Sequence, residues 1–281
     1  MAEHAAQFGV QMMCRVMLVS ASGYYDWCQR GPSVQAQARA QLDADVRVAF
    51  EAQKARAGAP RLTLQLKSQG CRAGRNQVAA SLRRQGLRAR AARKFKATTN
   101  SNHALPVAEN LLNQDFTAQR CDEKWAADIT YVGTEEGWLY LAVVLDLYSR
   151  KVIGWSMSER MTTRLTCDAL RMALSRRCWP RGVIVHSDRG SQYCAQEYRA
   201  VLTANELQCS MSARGNCYDN AAVESWNHSL KVEAVHGERF LTRAQAKKQL
   251  FDYIEVYYNR QRLHSSLGYL SPEQFESSRV A

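Results

Sequence analysis

"VIVHSDRGSQY", residues 183 to 193, decides how the second half of this chain is read. Val183, Ile184 and Val185 form an apolar, β-branched run with the composition of a buried strand. The run stops at once on His186, Ser187, Asp188, Arg189 and Gly190. A strand built for a core thus ends on a carboxylate beside a glycine, in a chain whose formal charge is +12. The ordinary use of an aspartate there is to form a turn, its side chain satisfying local amides.

Outward from this stretch, the texture alternates. Strands are expected at about 125–133 (WAADITYVG), 138–147 (WLYLAVVLDL), 151–158 (KVIGWSMS) and 183–187, with a short one near 207–212. Helices are expected at about 163–177, 195–205, 219–235 and 243–258. Three strands joined by short turns, followed by helix and strand in alternation, indicate an α/β unit with a mixed sheet flanked by helices.

Two further acids stand out. Asp128 sits in the middle of a strand, where aspartate packs poorly and tolerates burial only with a partner. Glu224 lies in the helix "DNAAVESWNHSLKVEAV", whose first turn Asp219 is suited to cap. Taken singly, the acids have ordinary readings as a hydrogen-bonded structural acid, a turn former and a solvated helical glutamate. Their spacing is less ordinary: Asp188 follows Asp128 by 60 positions, and 35 residues separate Asp188 from Glu224. Glu233, nine residues past Glu224 and half a turn away around a regular helix, is expected to take no part.

The basic character is concentrated upstream. From Arg61 to Asn100 there are 11 Lys or Arg and no Asp or Glu. Within this window the sequence predicts a helix at about 61–69, a turn over Gly70 to Gly74, and a second helix at about 75–85 ended by Gly86. Leu62, Leu66, Val78 and Leu82 fall on inward faces, while Arg75, Asn76, Gln77, Arg83 and Arg84 remain outside as candidate DNA contacts. Leu42, Val46, Ala49 and Phe50 mark a preceding support helix. This is the outline of an all-α helix-turn-helix domain, and a positive field of this size favours a polyanionic partner. The expected division is an N-terminal helical arm (1–35, with a packed "SGYYDW" turn), a helix-turn-helix domain (36–90), a linker (91–120) and an α/β domain with C-terminal helices (121–281).

The acids at this spacing, the "WAADITYV" strand, "HSDRGSQY", "SMSARGNCYDNAAVESWNHSLKVE" and the closing "YNRQRLHSSLGYLSPEQF" resemble the transposases of the IS-three group of bacterial insertion sequences. Within that group the likeness is to the second-reading-frame product, from about residue 35 to the end. The resemblance implies a ribonuclease H-like, integrase-like catalytic domain. Asp128, Asp188 and Glu224 would be its catalytic acids, holding two Mg²⁺ (or Mn²⁺) for cleavage and strand transfer at element ends by in-line phosphodiester attack. Lys231, seven residues beyond Glu224 on the same face, would hold a phosphate. Gly215, Asn216, Asp219 and Asn220 match the loop before the glutamate helix. Tyr258, Asn259, Arg262 and His264 match a C-terminal motif expected to pack on the core or touch DNA. The implied partners are DNA (terminal repeats and target), further copies of the chain on paired ends, and the upstream-frame protein. The sequence departs from the group's pattern at "AGAPRL", where an aromatic-glycine pair is usual, and residues 1–35 lack sustained heptads.

Composition excludes other classes. The 9 cysteines form no C-x-x-C pair and are expected to be reduced, buried thiols rather than a disulfide framework or zinc site. No apolar run has the length of a membrane span, and the first residues lack a secretory pattern, so a cytoplasmic location is expected. Two alternatives remain: a ribonuclease H-like nuclease without strand transfer, and a non-enzymatic DNA-binding regulator.

Overall fold

The computed structural model describes residues 1–90, 107–213 and 217–279. It divides into two compact units, Met1–Ala89 and Arg90–Ala281.

The first unit is helical: α1 (Val10–Val16), α2 (Ala21–Gln29), α3 (Val34–Ala52), α4 (Ala59–Ser68) and α5 (Arg75–Arg84). Its core is where the apolar spacing puts it. Val46, Ala49 and Phe50 of α3 meet Leu62 and Leu66 of α4 and Val78 and Leu82 of α5. Ser33 caps α3 by accepting a hydrogen bond from Ala36 N, and Gly70, at φ +90°, turns the chain out of α4. The "SGYYDW" stretch is a correction: it is helical, because Ser20 accepts from Gly23 N and starts α2. Tyr25 and Trp27 are exposed rather than packed.

The second unit is built on five strands, β1 (Lys124–Thr134), β2 (Gly137–Asp146), β3 (Val152–Ser158), β4 (Ile184–Ser187) and β5 (Gln208–Met211). Their order is β3-β2-β1-β4-β5. β2 pairs antiparallel with β1 and β3, while β4 is parallel to β1 and β5, so the sheet is mixed. The period-2 alternation of β1 sends Trp125 and Ala127 to one face and Ala126 to the other. On the first face lie α6 (Thr163–Arg176), α7 (Ser191–Cys194) and α8 (Gln196–Ala204), with Leu170, Ala173, Leu174, Tyr198 and Leu202 buried. A Cβ on Gly154 of β3 would meet Ala169 O at 2.2 Å, so only glycine admits α6 this close. On the second face lie α9 (Ala221–Leu230) and α10 (Arg243–Phe251), through Val223, Trp226, Leu230, Ala246 and Leu250. α9 runs on as a π-helical turn over Lys231–Val235, α10 as another over Asp252–Tyr258, and α11 (Pro272–Ser277) ends the unit.

Part of the expected linker is also corrected. Residues 91–106 lie outside the described residues, but 107–120 pack on the sheet unit. Leu112 is 1% exposed, Leu111 N donates to Ser210 Oγ and Met211 N to Glu109 O, so this segment continues the core instead of spanning a gap. Cys14, Cys167 and Cys194 are buried as expected, whereas Cys28 and Cys178 are exposed, and all of these are free thiols.

Candidate active site

The acid at the centre of β1 belongs to the face that carries α9, since Asp128 has the parity of Ala126. β4 runs parallel beside it with Ala126 opposite His186, so two residues further on along each strand Asp188 comes level with Asp128. The strand-end aspartate quoted at the outset thus stands beside the mid-strand one. Glu224 enters from the first turn of α9. The three carboxylates feel one another: Asp128 is pushed well above the ordinary carboxylate range by burial, then by Asp188 and Glu224. Glu224, exposed at the rim, is raised by burial and by Asp188. Three repelling oxygen-donor groups gathered at one place favour a positive charge among them.

Local structure explains why each acid stays there. Asp188 Oδ1 accepts from Gly190 N at 2.9 Å. A Cβ on Gly190 would stand 3.0 Å from that oxygen and 3.2 Å from Gln192 Oε1, so the glycine leaves room for the carboxylate. His186, fully buried, bonds Ser210 Oγ at 2.8 Å and Ser212 Oγ at 3.3 Å, tying β4 to β5, and burial holds its pKa down at about 4. Helix α9 is laced to β1 by side-chain donors. Asn220 Nδ2 reaches Ala127 O at 3.4 Å, Asn227 Nδ2 reaches Asp128 Oδ2 at 2.6 Å, and Lys231 Nζ donates to Tyr131 O.

Several expected residues occupy roles the sequence did not indicate. Asp219 does not cap α9: its carboxylate accepts from Asn110, Gln114 and Ala213 N, clamping the chain segments around the site. Lys231 is half-buried over the Tyr131 ring, 4.9 Å from its centroid, and burial lowers its amine to about 8. Glu233 is not a bystander but a buried partner of Arg262. Tyr258, Asn259, Arg262 and His264 pack: Asn259 bonds both backbone groups of Val152, and His264 meets the Tyr258 ring edge-on. Gly215 and Asn216 lie outside the described residues. Asn227 was missed, although its position three residues after Glu224 puts it on the same helical face.

In the helical unit, Arg75, Asn76 and Arg83 are exposed on α5. Gln77 Oε1 accepts from Gly74 N at 2.8 Å, which engages it in the helix start. Arg84 is paired with Asp43 of α3 at 2.6 Å.

A second acidic group, Cys121, Asp146 and Glu276, has its ligand atoms within 4.8 Å of one another. Asp146 pairs with Trp125, so it lies on the opposite face of the sheet from Asp128. Arg177 and Lys151 already bind Glu276, and burial pushes the Cys121 thiol up to about 12. This group is a buried ion network.

Residues 118–217 and 224–280 match families described as "Integrase core domain", and residues 36–95 match "HTH-like domain". The chain is 57% identical to "Transposase InsF for insertion sequence IS3A" of Escherichia coli (strain K12), covering 99% of this chain and 98% of that protein. It is 48% identical to "Insertion element IS600 uncharacterized 31 kDa protein" of Shigella sonnei, covering 94% and 97%. A chain of the simian T-cell lymphotropic virus intasome in complex with PP2A regulatory subunit B56 gamma aligns at 16% identity and TM-score 0.48, over 83% of this chain and 74% of that one.

Proposed function

The chain belongs to the IS3 group of insertion-sequence transposases, with a ribonuclease H-like integrase core, and from that premise we propose that Asp128, Asp188 and Glu224 carry its DNA cleavage and strand-transfer chemistry. The observation supporting this assignment is the mutual electrostatic influence of three carboxylates drawn from β1, the end of β4 and α9.

The donor set fits hard divalent cations. All three groups offer carboxylate oxygens, and the pKa values of Asp128 and Glu224 are raised first by burial and then by neighbouring carboxylates, two costs of holding negative charge that a cation offsets. These three would hold two Mg²⁺ or Mn²⁺. When bound, such ions supply positive charge to the entering and leaving oxygens of a phosphodiester.

The protein's own part is to fix the acids and bring in DNA. Asp128 is held by Asn227, Asp188 by the Gly190 amide, and Glu224 by the docking of α9. In cleavage, water attacks phosphorus and the bond to the 3′-oxygen breaks, leaving a free 3′-hydroxyl. In transfer, that hydroxyl attacks a target phosphorus and displaces the target's own 3′-oxygen. Each step forms one P–O bond and breaks one. Lys231, whose ammonium is half-buried seven residues after Glu224, would meet a phosphate by leaving the Tyr131 carbonyl.

Residues 36–90 would grip the terminal repeats, with Arg75, Asn76 and Arg83 free to reach DNA and Gln77 and Arg84 partly committed to the fold. The same reading makes the working form an oligomer on paired ends in the cytoplasm, joined by the upstream-frame protein. Among the described residues no helix is long and apolar enough to cross a membrane.

The test is a labelled duplex bearing the element's end, incubated with protein and Mg²⁺ or Mn²⁺. Cut and joined products that vanish in chelator support the proposal, with Ca²⁺ allowing assembly but not cutting. Full activity in chelator overturns it, and cutting without joining favours the nuclease reading.

A further inference from the structure

The amide of Asn227 faces two ways. Its Nδ2 donates to Asp128 Oδ2 at 2.6 Å, and its Oδ1 is buried without a hydrogen-bond partner among the described residues. In this orientation the amide N–H donates to the carboxylate and the amide oxygen is turned away from it. Asn227 stands three residues after Glu224 and four before Lys231, on the α9 face that is laced to β1. It is thus the side chain that joins the helix of one acid to the carboxylate of another.

We propose that Asn227 is a positioning residue of the reaction. By donating to Asp128 Oδ2, alongside the Ile129 amide on the same carboxylate, it fixes the direction in which that carboxylate meets the cation, and its own buried carbonyl oxygen accepts a hydrogen bond from an O–H group entering between the acids. A buried acceptor left without a donor costs free energy, so this site is favoured for water or a sugar hydroxyl carried in with the cation and DNA. The inference rests on the proposed cation-binding role of Asp128, Asp188 and Glu224. It adds a residue that acts through Asp128 and does not itself hold the ion.

The experiment measures Mn²⁺ binding to the full chain without DNA, by the electron paramagnetic resonance signal of free Mn²⁺, alongside thermal midpoint and affinity for an element-end duplex. Asn227→Ala is expected to weaken Mn²⁺ binding about tenfold or more, the scale of lost outer-shell support at metal sites. It should also alter the spectrum of bound Mn²⁺ while duplex affinity stays at the wild-type level. Asn227→Asp keeps the shape but replaces the donor with an acceptor. It is expected to change the bound-ion spectrum as well, and it decides the matter if the alanine variant does not fold. Wild-type affinity and an unchanged bound-ion spectrum in both variants overturn this inference alone. Absence of Mn²⁺ binding by the wild-type chain overturns the proposed function beneath it.

Discussion

Arg262 grips Glu233 with two nitrogens: Nε lies 2.9 Å from Oε2 and Nη2 lies 2.9 Å from Oε1, and both side chains are buried. Tyr253 OH donates to the same carboxylate at 2.9 Å, and Arg262 Nη2 also reaches Ser229 Oγ. The C-terminal segment is thereby fastened to the helical run that carries Glu224 and Lys231.

Breaking one side of such a pair strands the other charge in the interior. Glu233→Gln should cost about 3 kcal/mol, lowering the thermal midpoint of the sheet unit by about 10 °C. Urea or thermal unfolding checks this, and a loss within experimental scatter contradicts the burial of the pair.

The acid trio should be a liability without cations. Asp128 has a folded-state pKa above its unfolded value, so the folded state holds its proton more tightly and its contribution falls as pH rises from the unfolded pKa towards neutrality. Asp128→Asn removes that cost. In chelator at pH 7 the variant should melt a few degrees above wild type, the effect of about 1 kcal/mol in a unit of this size. Mg²⁺ should then raise the midpoint of the wild type more than that of the variant.

His186 predicts the opposite slope at lower pH. Its pKa is held down at about 4 against an ordinary 6.5, so its stabilising contribution is complete above 6.5 and is lost as pH falls through that window. The contribution amounts to at most about 1.4 kcal/mol per pH unit. In His186→Gln, a plot of unfolding free energy against pH from 7 to 4 should be flatter than in wild type. Equal slopes contradict the assignment.

DNA affinity should follow the exposed arginines of α5. Arg75→Glu with Arg83→Glu should weaken binding to every duplex and lower the salt dependence by about two counterions, since both side chains are exposed on the helix surface. Arg84→Glu is a poorer probe, because it also breaks the pair with Asp43 and should lower the melting temperature. Unchanged affinity in the double variant removes α5 as the DNA-contacting helix.

The strands, their mixed arrangement and the inward faces of α3, α4 and α5 were legible because period-2 and period-3.6 patterns are local properties of the chain. The approach of Asp128 and Asp188 followed from spacing once the family resemblance was drawn. What spacing does not carry is which partner covers a given face. Glu233 was expected to face away from Glu224, and it is the C-terminal segment, through Arg262, that covers it. Asp219 has the residue type of a cap, yet the packed segment at 107–120 supplies it with side-chain donors, Asn110 and Gln114. Asn227 went unremarked, because its partner is set only when α9 docks beside β1.

Glu224→Gln tests the central claim most directly. The change keeps side-chain length and helix propensity at an exposed position, so folding and duplex binding should persist while one of the carboxylates for the cations is lost. With Mg²⁺ and an element-end duplex at saturating protein, the strand-cleavage rate should fall on the order of a thousandfold, as expected for several kcal/mol of transition-state stabilisation. Glu197→Gln, an exposed acid on α8, should cleave at the wild-type rate. Cleavage and joining by Glu224→Gln at the wild-type rate, on the same bound DNA, would contradict the assignment of Asp128, Asp188 and Glu224 as the reacting centre.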